Sequence, residues 1–170
     1  MRTLYLLRHA KSDWDDPELS DFDRPLAPRG VDACARIAAH MRAEGIAPEL
    51  VLCSPARRAK ETLEGLGDAI GEGAVRFEKD IYEATESDLL GVVHPTDPAV
   101  SSVMLIGHNP SIERLALLLC EEGDLLDSLR AKYPTAALAT LAIPSTEWRE
   151  LRLGGATLAA FVKPKELPAP

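Results

Sequence analysis

Cysteine is scarce in this chain. The three residues, Cys34, Cys53 and Cys120, are widely separated and odd in number. No C-x-x-C pair occurs, so neither a zinc knuckle nor a disulfide framework is indicated, and the expectation is three thiols in a reducing cytoplasm. Positive charge is also in short supply: 19 Lys and Arg stand against 27 Asp and Glu, a net charge of −8. That balance argues against nucleic-acid or anionic-membrane binding, which would want a broad basic face, but leaves room for a local basic pocket. No apolar run approaches the roughly 20 residues of a membrane span. The apolar stretch in "MRTLYLLRHA" is too short for a signal peptide and reads as a strand. Neither internal repeats nor low-complexity segments occur, and no carboxylate cluster or His/Cys grouping suggests a metal site. No cofactor is expected.

What is present is an ordinary globular balance, 46% hydrophobic and 27% charged over 170 residues. Such a chain fits one domain, residues 1–170, with 164–170 read as a flexible tail. "TLYLLR" (3–8) reads as a buried strand, and the Asp- and Pro-rich loop after it is long for a simple connection. A helix is predicted over 28–43, on the spacing of Val31, Cys34, Ala35, Ala38 and Met41 and the stop at Gly45. "ELVLC" (49–53) is a second strand. Ser54-Pro55 then reads as an N-cap and first-turn proline opening a second helix. "VRFEK" (75–79) is a third strand, "ESDLLGVV" (86–93) a short helix and "SVMLIGH" (102–108) another core strand. Asn109-Pro110 opens the helix "SIERLALLLCEE", and two closing strands, possibly antiparallel, lie in "AALATLAIP" and "ATLAAFVKP". Alternating strands and helices predict an α/β three-layer sandwich, with a mostly parallel central sheet and helices on both faces.

Ligands of such sheets bind at the carboxyl ends of the strands. That rule selects Arg8 and His9, then Ser54 and the Arg57-Arg58 pair, then His108 and Asn109. Arginines clamp phosphate by charge-assisted, bidentate hydrogen bonds, each close charge pair being of order 4 kcal/mol at 4 Å and an effective dielectric near 20. A neutral imidazole beside them can attack phosphorus. The same arginines discourage its protonation. A second histidine, cationic once the dianion is bound, would stabilise charge on the equatorial oxygens.

At these residues the chain resembles the histidine phosphatase superfamily. Its marks appear as Arg8-His9-Ala10, as the run Ser54-Pro55-Ala56-Arg57-Arg58-Ala59-Lys60-Glu61-Thr62, and as "LIGHNP" around His108. "RHAKSDW" followed by "DRPLAPRG" is similar to the SixA-type phosphohistidine phosphatases. The resemblance implies a phosphoglycerate-mutase-like fold, His9 as nucleophile, and Arg8, Arg58 and His108 as the phosphate pocket. By its register the phosphate-holding arginine is Arg58 rather than Arg57. It carries the general acid to Glu83, although this branch often lacks a clear acid there. A phosphoramidate needs less help in leaving than an alkoxide does. The implied activity is a metal-independent phosphatase acting on protein-borne phosphohistidine. The alternatives are a small-molecule phosphomonoesterase or mutase of the same fold, and a non-catalytic phosphate-binding module.

Two departures from the family pattern stand out. Ser12-Asp13-Trp14-Asp15 occupies the loop where many relatives place asparagine, and Asp15 is expected to face outward. Ala27 replaces the usual Ser or Thr cap before Pro28, at a cost of about 1 kcal/mol. Asp23-Arg24 reads as a loop-stapling ion pair, Arg57 as helix solvation, Trp14 and Trp148 as packing residues, and His40 and His94 as solvated or capping. Between Thr62 and Ser101 there is no insertion long enough to form a lid.

Overall fold

The period-two geometry of a strand sorts its side chains onto two faces. In the computed structural model, which describes residues 1–170, this sorting organises the whole molecule. Along β1 (Arg2–Arg8), Leu4 and Leu6 enter one apolar cluster, while Leu7 and the half-buried Tyr5 join a second. β2 (Leu50–Cys53) and β4 (Ser102–Gly107) repeat the pattern: Leu50, Leu52, Val103 and Leu105 face one way, Val51, Cys53, Met104 and Ile106 the other. A sheet with apolar side chains on both faces needs helices on both, and it has them. α1 (Pro28–Glu44) and α2 (Arg57–Leu66) cover the second cluster through Cys34, Ile37, Met41, Ala59 and Leu66. α3 (Glu86–Val93), α4 (Ser111–Leu119) and α5 (Leu125–Ala131) cover the first.

The sheet is completed by β3 (Ala74–Phe77), β5 (Leu138–Ile143) and β6 (Thr157–Val162), in the order β3-β2-β4-β1-β5-β6. The β3-β2-β4-β1 portion is parallel, and β5 runs antiparallel to both β1 and β6. The expected three-layer α/β arrangement is therefore present. β1 and β4 are neighbours whose following helices leave to opposite faces, which opens a crevice beyond their carboxyl ends. His9 and His108 stand at that crevice, one residue past each strand.

Several local expectations are corrected. The 75–79 strand is Ala74–Phe77, an edge strand with exposed side chains. The second helix starts at Arg57, so Ser54 is not its cap. Ser54 Oγ accepts a hydrogen bond from the Ala56 N–H and is otherwise committed to the site below. Asn109 does act at the head of α4, where its Oδ1 accepts from the Glu113 N–H at 3.2 Å. α5 was not anticipated. The segment read as a flexible tail folds in part: Pro164–Glu166 form a 3₁₀ turn, and Leu167 packs against the α1 side while its carbonyl accepts from Arg36 Nη1 at 2.9 Å. Partial burial of that leucine and an anchored carbonyl give the segment a reason to dock. Ala27 opens α1 without a side-chain cap, as expected. No helix is long and apolar enough to cross a membrane.

Candidate active site

The loop leaving β1 is fixed before any side chain is considered. The His9 N–H donates to the Gly107 carbonyl at 2.9 Å, and the Ala136 N–H donates to the Arg8 and His9 carbonyls at 3.0 and 3.1 Å. Thr62 ties this loop to α2: its Oγ1 accepts from the Ala10 N–H at 2.9 Å and donates to the Arg58 carbonyl at 2.7 Å. Gly30, at the head of α1, packs so closely that a Cβ there would lie 2.2 Å from the Lys11 carbonyl oxygen. Glycine is required at that position because any side chain would push the loop backbone that follows His9.

On this frame His9, Arg58 and His108 are nearly buried and Arg8 is half-buried. The two imidazole centroids are 5.1 Å apart. His9 Nδ1 lies 2.8 Å from the Ala10 carbonyl oxygen. A carbonyl can only accept, so Nδ1 carries the proton and Nε2 keeps its lone pair. Burial pushes the His9 pKa down to about 3, and His108, Arg58 and Arg8 repel a proton further, against the hydrogen bond to Ala10. Burial and then the Arg58 charge push His108 down to about 4. Its Nε2 is 2.7 Å from Ser54 Oγ. Five buried side-chain polar atoms in the molecule lack a hydrogen-bond partner, and three of them, Arg8 Nε, Arg58 Nε and His108 Nδ1, fall in this group. An unpaired buried donor costs about 1–3 kcal/mol, so a set of them at one place favours an anion that supplies acceptors.

Two residues not singled out in the sequence complete the surroundings. Asp21 lies against Arg58: Arg58 Nη1 donates to its carbonyl at 2.7 Å and Nη2 to its Oδ2 at 3.1 Å. The Tyr82 hydroxyl donates to the same Oδ2 at 2.7 Å, and Arg24 Nη2 to Oδ1 at 2.9 Å. Burial alone would raise the Asp21 pKa, but the Tyr82 and Arg24 hydrogen bonds and the Arg58 charge hold it well below the ordinary carboxylate range. Tyr82 meets the His108 ring edge-on at 5.6 Å. The only advance signal was the length of the Asp-rich loop. The loop staple is thus Arg24 with Asp21, not with Asp23, because the 3₁₀ turn Asp21–Asp23 brings the carboxylate three residues back under the guanidinium. Asp15 is exposed, as expected.

Glu83 is not drawn into this network. It is exposed, follows Tyr82 at the rim with a left-handed φ of 56°, and its carboxylate makes no hydrogen bond. Arg57 is exposed and paired with Glu61 at 2.8 Å. Trp148 is fully buried. Trp14, expected to pack, is 67% exposed with the Arg24 guanidinium 3.5 Å over its ring, because no neighbouring element covers the loop there. His94 caps α3, with Nε2 donating to the Leu151 carbonyl at 2.8 Å.

Two outcomes follow from these charges. In the unfolded chain each histidine titrates near 6.5, whereas folded His9 and His108 resist protonation until about 3 and 4. The unfolded state therefore binds more protons, and stability falls as pH drops from about 6.5 toward 4. Asp21 acts in the same direction at lower pH, since its stabilisation is complete above its unfolded value of about 3.9 and is lost below it. Melting temperature should decline steadily from pH 7 to 4, and less steeply in His108→Gln; a flat profile would contradict the charge assignment. Second, Asp21 and a phosphate would compete for Arg58. Asp21→Asn should strengthen inhibition by orthophosphate several-fold in a competitive assay, and unchanged or weaker inhibition would show that the carboxylate does not oppose the anion.

Comparison with known proteins agrees with this geometry. Residues 4–99 match the family model of the histidine phosphatase superfamily (branch 1). An uncharacterized protein of Mycobacterium leprae is 33% identical over 165 residues, covering 94% of this chain and all of the relative. The phosphohistidine phosphatase SixA of Escherichia coli is 30% identical over 122 residues, 69% of this chain and 73% of SixA. A SixA-type structure from Nakamurella multipartitia superposes with a TM-score of 0.86 at 28% identity, over 96% of each chain. The carboxyl-end histidines, the arginines beside them and these matches lead to one assignment: the chain belongs to the histidine phosphatase superfamily, branch 1, in its SixA-type group, and is a phosphatase.

Proposed function

We propose that the protein hydrolyses phosphohistidine carried on a protein or peptide, without a metal ion, through a phosphoryl intermediate on His9. The observation that carries this reading is the neutral His9 imidazole, with Nδ1 held by Ala10 and Nε2 free, beside Arg8, Arg58 and His108. His9 Nε2 attacks phosphorus, the bond from phosphorus to the leaving nitrogen breaks, and its electron pair stays on that nitrogen, which takes a proton. Water then attacks the phosphoryl group on His9, releasing orthophosphate and returning neutral His9. Arg8, Arg58 and His108 hold the equatorial oxygens and stabilise charge that builds in the transition state. Glu83 is the candidate proton donor for poorer leaving groups. Its left-handed backbone at the rim is the sort of strained conformation that clusters at functional sites, and this supports the assignment.

Metal independence is supported by the donor set: no group of three or more His, Cys, Asp or Glu side chains is arranged to hold an ion. A protein-borne substrate is supported by access. The single helix between Thr62 and Ser101 beyond α2 is the eight-residue α3, which packs on α4 rather than over the histidines. Burial raises the thiols of Cys34, Cys53 and Cys120 to about 12, 12 and 11, and unpaired buried thiols suit a reducing cytoplasm. The test is phosphate release from a phosphohistidine peptide and from an aryl phosphate, with EDTA present. Faster turnover of the peptide, unaffected by the chelator, is expected. Preference for the aryl phosphate would favour a small-molecule phosphomonoesterase, and loss of activity in EDTA would overturn metal independence.

A further inference from the structure

A second concavity lies apart from the histidine crevice. It is a cleft of about 730 Å³ between the exposed side of α1, the loop before β5 and the C-terminal turn. Its charge is opposite to that of the chain. Carboxylates outnumber cations 27 to 19 overall, yet six cations, Lys11, Arg29, Arg36, Lys132, Lys163 and Lys165, line this cleft with a single carboxylate, Asp32. Asp32 is already spent on Arg36 at 2.8 Å. The other five cations have no carboxylate within 4 Å. Five such cations around one hollow raise the local positive potential and favour an anion there.

The cleft and the site share the chain segments that frame them. Lys11 lies two residues past His9, on the loop segment against which Gly30 packs. Lys132 and Pro134 flank Tyr133, whose carbonyl accepts from Arg8 Nη1 at 2.8 Å, and the next turn bonds back to the Arg8 and His9 carbonyls. An extended chain advances about 3.3 Å per residue, and Lys11 is only two positions from His9, so the flanks of a phosphohistidine seated at His9 run toward this side of the molecule. No aromatic side chain lines the cleft, so nothing there would stack a nucleobase. The cations sit on long stems from four separate segments, over prolines 28, 134 and 164. That is a surface for an extended acidic chain rather than for a compact ligand.

We propose that this cleft docks an acidic segment of the phosphorylated protein, placing its phosphohistidine at His9. The proposal rests on the reading of function above, and its test separates the two. The probes are two phosphohistidine peptides of equal length, flanked by glutamates or by glutamines, and phosphoramidate as a substrate without flanks. The variant is Arg29→Glu/Lys163→Glu/Lys165→Glu, with the corresponding Gln variant as a milder control. Wild type should favour the glutamate peptide in kcat/KM by about tenfold at low salt, as several exposed charge pairs would give. The preference should vanish in the variants and at about 0.5 M salt, where screening is nearly complete. Phosphoramidate turnover should be the same in all three proteins, which a merely misfolded variant would not satisfy. Binding of the unphosphorylated glutamate peptide to His9→Ala, read by fluorescence anisotropy, tests docking even if no phosphohistidine is hydrolysed. Equal handling of the two peptides, a preference that survives charge reversal, or binding of ATP but not of the acidic peptide would overturn the proposal.

Discussion

His9→Ala should lower turnover by about 10⁴-fold or more, the scale seen when a covalent nucleophile is removed, while phosphate still binds. His108 is the other imidazole near the arginines; its Nε2 is engaged by Ser54, and no carbonyl holds its unpaired Nδ1, so only His9 has its attacking nitrogen fixed as a lone pair by a carbonyl on the other side of the ring. The loop is held by backbone hydrogen bonds to Gly107 and Ala136 and by Thr62, none of which uses the His9 ring, so the fold should persist. Steady-state phosphate release, together with phosphate binding by calorimetry, checks both halves. Retained turnover would remove His9 from the chemistry. Loss of binding as well as turnover would mean that the variant had lost the pocket.

The second large effect is at Arg58. Arg58→Ala should reduce kcat/KM by about 10²- to 10³-fold, as loss of one transition-state donor does. Arg58→Lys should restore little of it, because a point charge cannot reproduce the planar fork of a guanidinium. The side chain is nearly buried, with Nη1 and Nη2 directed at Asp21 and Nε unpaired. Its removal also leaves the Asp21 carboxylate without its guanidinium partner there, so orthophosphate should bind more weakly for two reasons. Full rescue by lysine would show that only charge is needed and that the fork geometry is irrelevant.

The parts of this account visible in the sequence are those with a local signal. β1, β2 and β4 are short apolar runs, and His9, Ser54 and His108 each follow one of them directly, so the strand-end rule selects them without knowledge of the sheet. Asp21 and Tyr82 carry no such signal. They lie in irregular segments, and their importance comes from contacts 37 and 61 positions apart along the chain. The sequence marks Arg24 as a staple but not its carboxylate, since the choice between Asp21 and Asp23 depends on a 3₁₀ turn that composition does not specify. Ser54-Pro55 has the residues of a helix cap, yet the hydroxyl serves His108 and the helix begins three residues later, a case of tertiary contact overriding a local preference. The basic cleft was invisible because its six cations come from four separate stretches of an acidic chain.

The most direct test of the account is to trap the intermediate. A phosphohistidine peptide, or another turned-over substrate, is mixed with the enzyme, quenched in alkali within the first turnover, and the protein mapped by mass spectrometry. The account predicts one phosphoryl group, alkali-stable and acid-labile, on His9 and absent from His9→Ala. A phosphoryl group on His108, or turnover with no phosphorylated enzyme at any time point, would contradict it.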